Sequence, residues 1–376
     1  MSSNAHRLRN CCVFLLIFCL CQPAIAQRKT TRTKAPDPFR IDTVVKGITI
    51  PYGMAFLPDG RMLVTDRTEG RIYLVDKGSK TTVGNVPEVH GKDQGGMMDI
   101  VLHPDYARNG WIYYSYSGVR DRENGTVVER ARLDGKSLTE RQVLFTTHPF
   151  YSNGAHYGCR LALKDGYLFL TIGERYALRD SAQLLANDLG KVIRLKDDGS
   201  IPADNPFVRT PGARPEIWSY GHRNPQGLAF HPLTGELWEG EHGPKGGDEL
   251  NLVQPGKNYG WPVITYGVEY SGATIGDGIT AKAGMEQPIH YYKPSIGPSG
   301  MAFYTGDAFP QWKGSLFQGA LALTHLNRLE ISNGKVVKEE RLLEGKGWRV
   351  RQVAQGPDGY LYLSVDGGMV LRLRPR

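Results

Sequence analysis

Six side chains stand at places where they could act together. Gln94 lies in DQGGMMDI, His156 in HYGCRL, Arg223 and Asn224 in GHRNPQGLAF, and Arg349 and Arg351 in WRVRQVAQGPDG. A neutral imidazole in a mostly dry pocket takes a proton near neutral pH. Planar guanidinium groups bind carboxylates two bonds at a time. Together these types point to proton transfer beside an anionic small ligand. Each has a plainer reading as well: His156 as a satisfied structural histidine, the arginines as partners of local acids. A second feature is the glycine-rich stretch EGEHGPKGGDELNLVQPGKNYGWP, residues 239–262, which carries Glu241, Asp248 and Glu249. Gly243 and Pro244 would turn backbone carbonyls to one side, and carbonyls with carboxylates suit Ca²⁺. The alternative is a structural loop with capping acids. There is no cysteine or HExxH pattern for zinc, and no Gly-x-Ser-x-Gly elbow, phosphate loop or dinucleotide fingerprint.

These residues come from distant parts of the chain, so some element must gather them. Helical periodicity is nearly absent. Short apolar runs alternate with Gly, Pro, Asp and Asn, the pattern of an all-β chain. One unit recurs: a strand, a Pro/Asp/Gly turn, a second strand. Copies begin at Gly53 (GMAFLPDGRMLVTD), Asp99, Cys159, Gly227, Gly300 and Arg351 (RQVAQGPDGYLYLSVD). Pro pre-sets one turn angle and Gly takes the positive one. Six copies at four-stranded-blade spacing predict an all-β, six-bladed β-propeller with four-stranded antiparallel blades. A pair of β-sandwiches is the rival architecture. Pairing of the strand near Ile41–Ile50 with the one near Met369–Pro375 would close the ring. Each of the six candidate residues stands just before or at the first strand of its unit. Superposed blades would bring them to one end of the channel, the usual ligand site of such a fold.

The N-terminal residues read differently. Arg7 and Arg9 precede the apolar run CCVFLLIFCLC and then AIA ending at Ala26. This is expected to be a cleaved secretory signal peptide, residues 1–26, rather than a membrane anchor. Residues 27–38, with RKTTRTK, are expected to be a disordered tail, and 39–376 the propeller domain. Four of the five cysteines fall in the leader, which leaves Cys159 and no internal disulfide. The expected location is periplasmic or secreted, with no stable membrane insertion. Without Arg7 and Arg9 the chain has 44 basic and 38 acidic residues, a net of +6, with the basic residues dispersed. This fits an anionic small ligand at least as well as nucleic acid, for which there is no motif.

The motifs NPQGLAFHPLTGELWEGEHGPKGGDELN, KNYGWP, PYGMAFLPDGRMLVTD, HYGCRLAL and SGMAFYTGDAFPQW carry a resemblance. From about Ile41 to Arg374 the chain resembles the glucose/sorbosone dehydrogenases, above all the soluble aldose sugar dehydrogenases that depend on pyrroloquinoline quinone (PQQ). The resemblance implies a six-bladed propeller holding PQQ at the channel mouth and oxidising aldose sugars to lactones, with electrons passed to an unidentified acceptor. It implies His156 as general base and Arg223 beside the reactive carbonyls of PQQ. Gln94, Asn224, His242, Asp248, Tyr270, Ser295, Arg349 and Arg351 match positions that line the cofactor. Gly243 and Pro244 match carbonyl donors to a Ca²⁺ that touches PQQ, and Glu249 and Tyr259 match a further Ca²⁺ site. The three carboxylates of PQQ would answer the convergence of arginines. Two positions depart from the pattern: Ala322 replaces a lysine that contacts PQQ, and Ala155 replaces an acid before the histidine. Glu174 is the candidate to orient His156 instead. Two rival functions remain: a non-enzymatic propeller that binds a glycan or a protein, and a Ca²⁺-dependent propeller lactonase.

Overall fold

The repeated turns close in one geometry. In the first, Leu57 N–H donates to Arg61 O at 2.8 Å and Gly60 N–H to Leu57 O at 3.0 Å, while Asp59 accepts from Arg61 N–H. The last copy repeats this, with Gly356 N–H to Tyr360 O at 2.9 Å, Gly359 N–H to Gly356 O at 3.0 Å, and Asp358 accepting from Tyr360 N–H. Gly60 and Gly359 have φ of 87° and 75°, a region in which a side chain is strained.

The computed structural model describes residues 38–376. The expected signal peptide, residues 1–26, and the expected tail, 27–38 apart from its last residue, lie outside them. The described residues form six four-stranded antiparallel sheets. The first three blades span residues 51–82, 97–146 and 161–220, and the next two 225–292 and 298–342. The sixth contains Val350–Gln355, Leu361–Val365 and Met369–Pro375, and Phe39–Lys46 completes it from the other end of the chain, in the register Ile41 to Leu373. The chain is therefore a six-bladed β-propeller whose ring is shut by N-terminal and C-terminal strands, as the sequence predicts. Radial closure packs the blades against one another and leaves each only short, protected edge strands. Apolar side chains fill the space between blades. Phe39, Phe309, Trp312, Phe317 and Leu363 form one such layer, with Phe309 and Trp312 stacked at 4.1 Å.

Two features aim side chains at the channel. The first strands of five blades carry a register shift near their start: at Pro51/Met54, Met97/Ile100, Pro225/Gly227, Pro298/Met301 and Val350/Gln352. Such bulges bend a strand and redirect its side chains. In the third blade His156, Gly158 and Cys159 have φ of 48°, 70° and 79°, so the lead-in to that strand is reshaped by left-handed backbone instead.

Arg160 is held among the innermost strands of several blades. It is 1% exposed. It donates to Gln226 O at 2.7 Å, Arg351 O at 2.8 Å and Tyr52 O at 3.4 Å, and pairs with Asp99 at 3.3 Å. One guanidinium thus ties the third blade to the fourth, sixth, first and second. A buried charge is tolerated when it is paired and fully hydrogen-bonded.

Candidate active site at the channel mouth

Tyr52, Gln226 and Arg351, whose carbonyls accept from Arg160, also line a cavity of about 220 Å³. Gln94, Asn224, His242, Arg349 and Arg351 all line it, so five of the residues singled out in the sequence do meet. Its remaining walls include Tyr52, Arg67, Tyr157, Gln226 and Asp366. His156 adjoins this wall. Its backbone N–H donates to Gln94 Oε1 at 2.9 Å, and its neighbour Tyr157 is a lining residue.

His156 is nearly buried, and its Nδ1 is 2.7 Å from Glu174 Oε2. The carboxylate only accepts, so Nδ1 carries the hydrogen and Nε2 the lone pair. The same Glu174 oxygen accepts from Tyr176 N–H, while Glu174 Oε1 is buried without a partner. Burial lowers the imidazole pKa below its usual value, against the opposing pull of Glu174. His156 is therefore neutral and oriented. Its surroundings leave little slack: a Cβ on Gly173 would lie 2.3 Å from His156 O. Arg175 and Tyr176, with φ of 64° and 61°, hold a costly backbone turn next to it. The Tyr176 ring meets the imidazole edge-on at 5.2 Å.

Arg349 and Arg351 face the cavity, and they also share one acid. Arg351 Nη2 is 2.7 Å and Arg349 Nε 3.1 Å from Asp366 Oδ2. Burial would raise the pKa of Asp366, but the two arginines outweigh it and hold it below the usual carboxylate value. The local-acid reading of these two arginines thus holds together with the cavity-lining one. Arg67 adds a third guanidinium that the sequence reading missed. Ala322, next to the lining residue Leu321, contributes no charge.

Arg223 lies on the far side of His242. It donates to Gly243 O at 2.7 Å and His242 O at 3.1 Å, and it sits over the Trp261 ring at 5.1 Å. With Gly243, Pro244, Glu249 and Tyr259 it lines a second, much smaller cavity, which shares His242 with the first. His242 Nε2 is 2.7 Å from Pro298 O, and burial pushes its pKa down to about 3, so it too is neutral. Asp248 and Ser295 brace the glycine-rich loop. Asp248 accepts from Gly243 N–H at 2.8 Å, Gly297 N–H at 2.8 Å and Ser295 Oγ at 2.9 Å, and burial pushes its pKa up to about 6. Ser295 Oγ also reaches Pro244 O at 3.2 Å. Tyr270 is 62% exposed. It follows Glu269, which pairs with Arg179 at 2.5 Å.

Beneath the loop, three acids crowd one amide. Asn251 Nδ2 lies 3.1 Å from Glu239, 3.2 Å from Glu241 and 3.4 Å from Glu249. Glu239 Oε1 and Asn251 Oδ1 are buried without partners. His222 Nδ1 comes within 3.4 Å of Glu241. Burial, reinforced by Glu241, raises the pKa of both Glu239 and Glu249 well above normal. Orphaned oxygens and uncompensated carboxylates are what a hard divalent cation satisfies. The ligand atoms that lie close enough together to share a cation are those of His222, Glu239 and Glu241 rather than Glu249. At the loop, the carbonyls of Gly243 and Pro244, expected to hold a cation, are instead taken by Arg223 and Ser295.

Fold and site together define a class: a propeller whose channel mouth pairs an oriented neutral histidine with a cation-rich cavity and a carbonyl-bearing loop. The chain belongs to the Glucose / Sorbosone dehydrogenase family, which it matches over residues 48–372. It is 45% identical over 354 residues to aldose sugar dehydrogenase YliI of Escherichia coli (strain K12), covering 91% of this chain and 94% of that protein. The crystal structure of the soluble aldose sugar dehydrogenase from Escherichia coli in the apo-form is similar at a TM-score of 0.86 and 43% identity, over 90% of this chain and 100% of the other. The PQQ-bound form of aldose sugar dehydrogenase from Streptomyces coelicolor is similar at a TM-score of 0.72 and 29% identity, over 91% and 99%.

Proposed function

We propose that this protein is an exported, PQQ-dependent and Ca²⁺-dependent aldose sugar dehydrogenase that converts the anomeric C–H and O–H of its sugar to a lactone carbonyl. The observation that carries this reading is the His156–Glu174 pair at 2.7 Å beside a cavity with three guanidinium groups and one carboxylate. PQQ would supply the two-electron acceptor for the hydride of the anomeric carbon, and its carboxylates match the charge of the cavity.

The chain's own residues then have separable tasks. His156 takes the proton of the anomeric hydroxyl at Nε2. Glu174 is a positioning residue: it holds Nδ1–H, fixes the tautomer and stabilises the imidazolium that forms. Gln94 fixes the backbone of His156. Arg223, which would first have to leave the Gly243 and His242 carbonyls, is the cation that the motif match assigns to negative charge at the reacting end of the ligand. Arg349 and Arg351 bind carboxylate, with Asn224 and His242 as neutral walls. Gly243 and Pro244 would hold one Ca²⁺ only with their carbonyls freed from Arg223 and Ser295. His222, Glu239 and Glu241 would hold another, with Glu249 supplying nearby charge. The N-terminal sequence supports export.

Purified apoprotein reconstituted with PQQ and Ca²⁺ is expected to reduce an artificial dye in the presence of glucose or another aldose and to release the lactone. Absence of both dye reduction and PQQ binding overturns the reading.

A further inference from the structure

Arg67 follows the second strand of the first blade, Met62–Asp66. Its backbone is fixed on both sides: its N–H donates to Ile50 O at 3.0 Å and its carbonyl accepts from Met97 N–H at 3.1 Å. A Cβ on Gly96 would fall 1.7 Å from that carbonyl, so the neighbouring chain lies directly against it. The side chain is aimed into the cavity of the channel mouth, which it lines with Arg349 and Arg351.

Its partners do not account for its charge. Among the described residues the one hydrogen bond of its side chain is a long contact of Nη2 with Asp93 O at 3.4 Å. Its Nε is buried without any partner. Among the described residues no carboxylate pairs with it. Asp366, the acid of this cavity, is already taken through both oxygens by Arg351, with Arg349 on Oδ2 as well. Burial, and then Arg351, shift the pKa of Arg67 downward, which shows a cation in a place that disfavours it. The cavity wall therefore carries three guanidinium groups against one carboxylate, a surplus of two positive charges. A half-buried guanidinium with an unsatisfied N–H is costly unless something anionic completes it.

We propose that Arg67 is a binding residue of this cavity, donating its free N–H groups to one carboxylate of a polycarboxylate ligand at a point separate from the Arg349–Arg351–Asp366 group. This rests on the reading above, in which the ligand is PQQ. A planar ligand with several carboxylates would be held at two places on its rim, which fixes its orientation in a way that one charged contact does not.

The test is titration of the apoprotein with PQQ in Ca²⁺ buffer, followed by the absorbance of the cofactor, together with thermal melts of the ligand-free protein. Arg67→Ala is expected to weaken PQQ binding by roughly ten- to a hundred-fold, and Arg67→Lys to recover part of it. The ligand-free melting temperature of Arg67→Ala should stay equal or rise, since an unfavourable charge is gone; a purely structural arginine would lower it. Equal PQQ affinity in wild type and Arg67→Ala overturns the inference and leaves the dehydrogenase reading standing. Failure of the wild-type protein to bind PQQ removes the reading itself and the inference with it. A second measurement uses the unaltered protein: phenylglyoxal modification of Arg67, mapped by mass spectrometry, should be blocked by saturating PQQ. Modification undiminished by PQQ overturns the inference.

Discussion

Replacing Glu174 by glutamine tests how His156 works as a base. Oε2 of Glu174 accepts from His156 Nδ1 and from Tyr176 N–H, while Oε1 has no partner. A glutamine can place its oxygen where Oε2 stands and its NH₂ at the unoccupied side. The tautomer and the ring position survive; the negative charge does not. A hydrogen bond to a charged group contributes about 1.5–3 kcal/mol, against about 1 kcal/mol for a neutral pair. Loss of the charge should therefore remove about 0.5–2 kcal/mol of imidazolium stabilisation, or roughly two- to thirty-fold in kcat, and lower the pKa of His156 further. The sign follows from the base being the neutral form. The pKa of wild-type His156 lies below the usual 6.5. Activity should be flat near neutrality and fall as pH drops through that lowered value. In Glu174→Gln the plateau drops and the acid limb moves to lower pH still. The assay is kcat/KM and kcat against pH with PQQ-loaded protein, with a PQQ titration showing unchanged affinity, since Glu174 does not line the cavity. An unchanged plateau with an unmoved acid limb, or a limb moved to higher pH, refutes the positioning role.

Three further outcomes follow from the same geometry. His156→Ala should keep PQQ affinity and lose roughly 10²- to 10⁴-fold in kcat; retained turnover would place the base elsewhere. Arg160→Met strips away the cation that joins five blades and leaves Asp99 buried without its counter-charge, so chemical denaturation should show a loss of about 3–5 kcal/mol, and a loss under 1 kcal/mol would contradict the bracing role. Removal of Ca²⁺ with EGTA should lower the melting temperature by about 3 °C, given about 2 kcal/mol of linkage and the size of the domain, with Ca²⁺ restoring it; Glu239→Gln with Glu241→Gln should blunt that response, and an EGTA-insensitive melt would argue against a cation under the loop.

The propeller was legible because its turns are chemically explicit. Pro-Asp-Gly at residues 58–60 and 357–359 states both the turn and its hand, and the apolar runs on either side can only be strands. Ring closure was legible for a topological reason: a lone N-terminal strand at Ile41 and a lone C-terminal one at Met369 have no other mates. The cavity residues Gln94, Asn224, Arg349 and Arg351 were legible because repeats superpose, which turns sequence spacing into spatial convergence. Pairings were harder to see. Asp366 neutralises two arginines, and Glu174 orients His156, through contacts 15 to 18 residues apart across a strand hairpin. A signal existed: in four units an acid stands at the end of the second strand or within two residues after it, at Asp66, Glu174, Glu241 and Asp366. In three of them that acid holds a group of the site. Arg67 comes directly after the first of these acids, outside the repeated motif, and its unpaired state is a property of the folded wall alone. Asp248, Ser295 and Tyr270 show the converse. Motif position selects them, yet two brace a loop and the third stands exposed.

The central claim is that the channel mouth holds PQQ and that an aldose is oxidised there at its anomeric carbon. Anaerobic single-turnover mixing of PQQ-loaded protein with aldose tests it most directly. The spectrum of the cofactor should convert to its reduced form with one lactone per site, more slowly with sugar deuterated at the anomeric carbon, and should stay oxidised in His156→Ala over the same time. A loaded wild-type protein whose spectrum does not change with any aldose at saturating concentration would contradict the account.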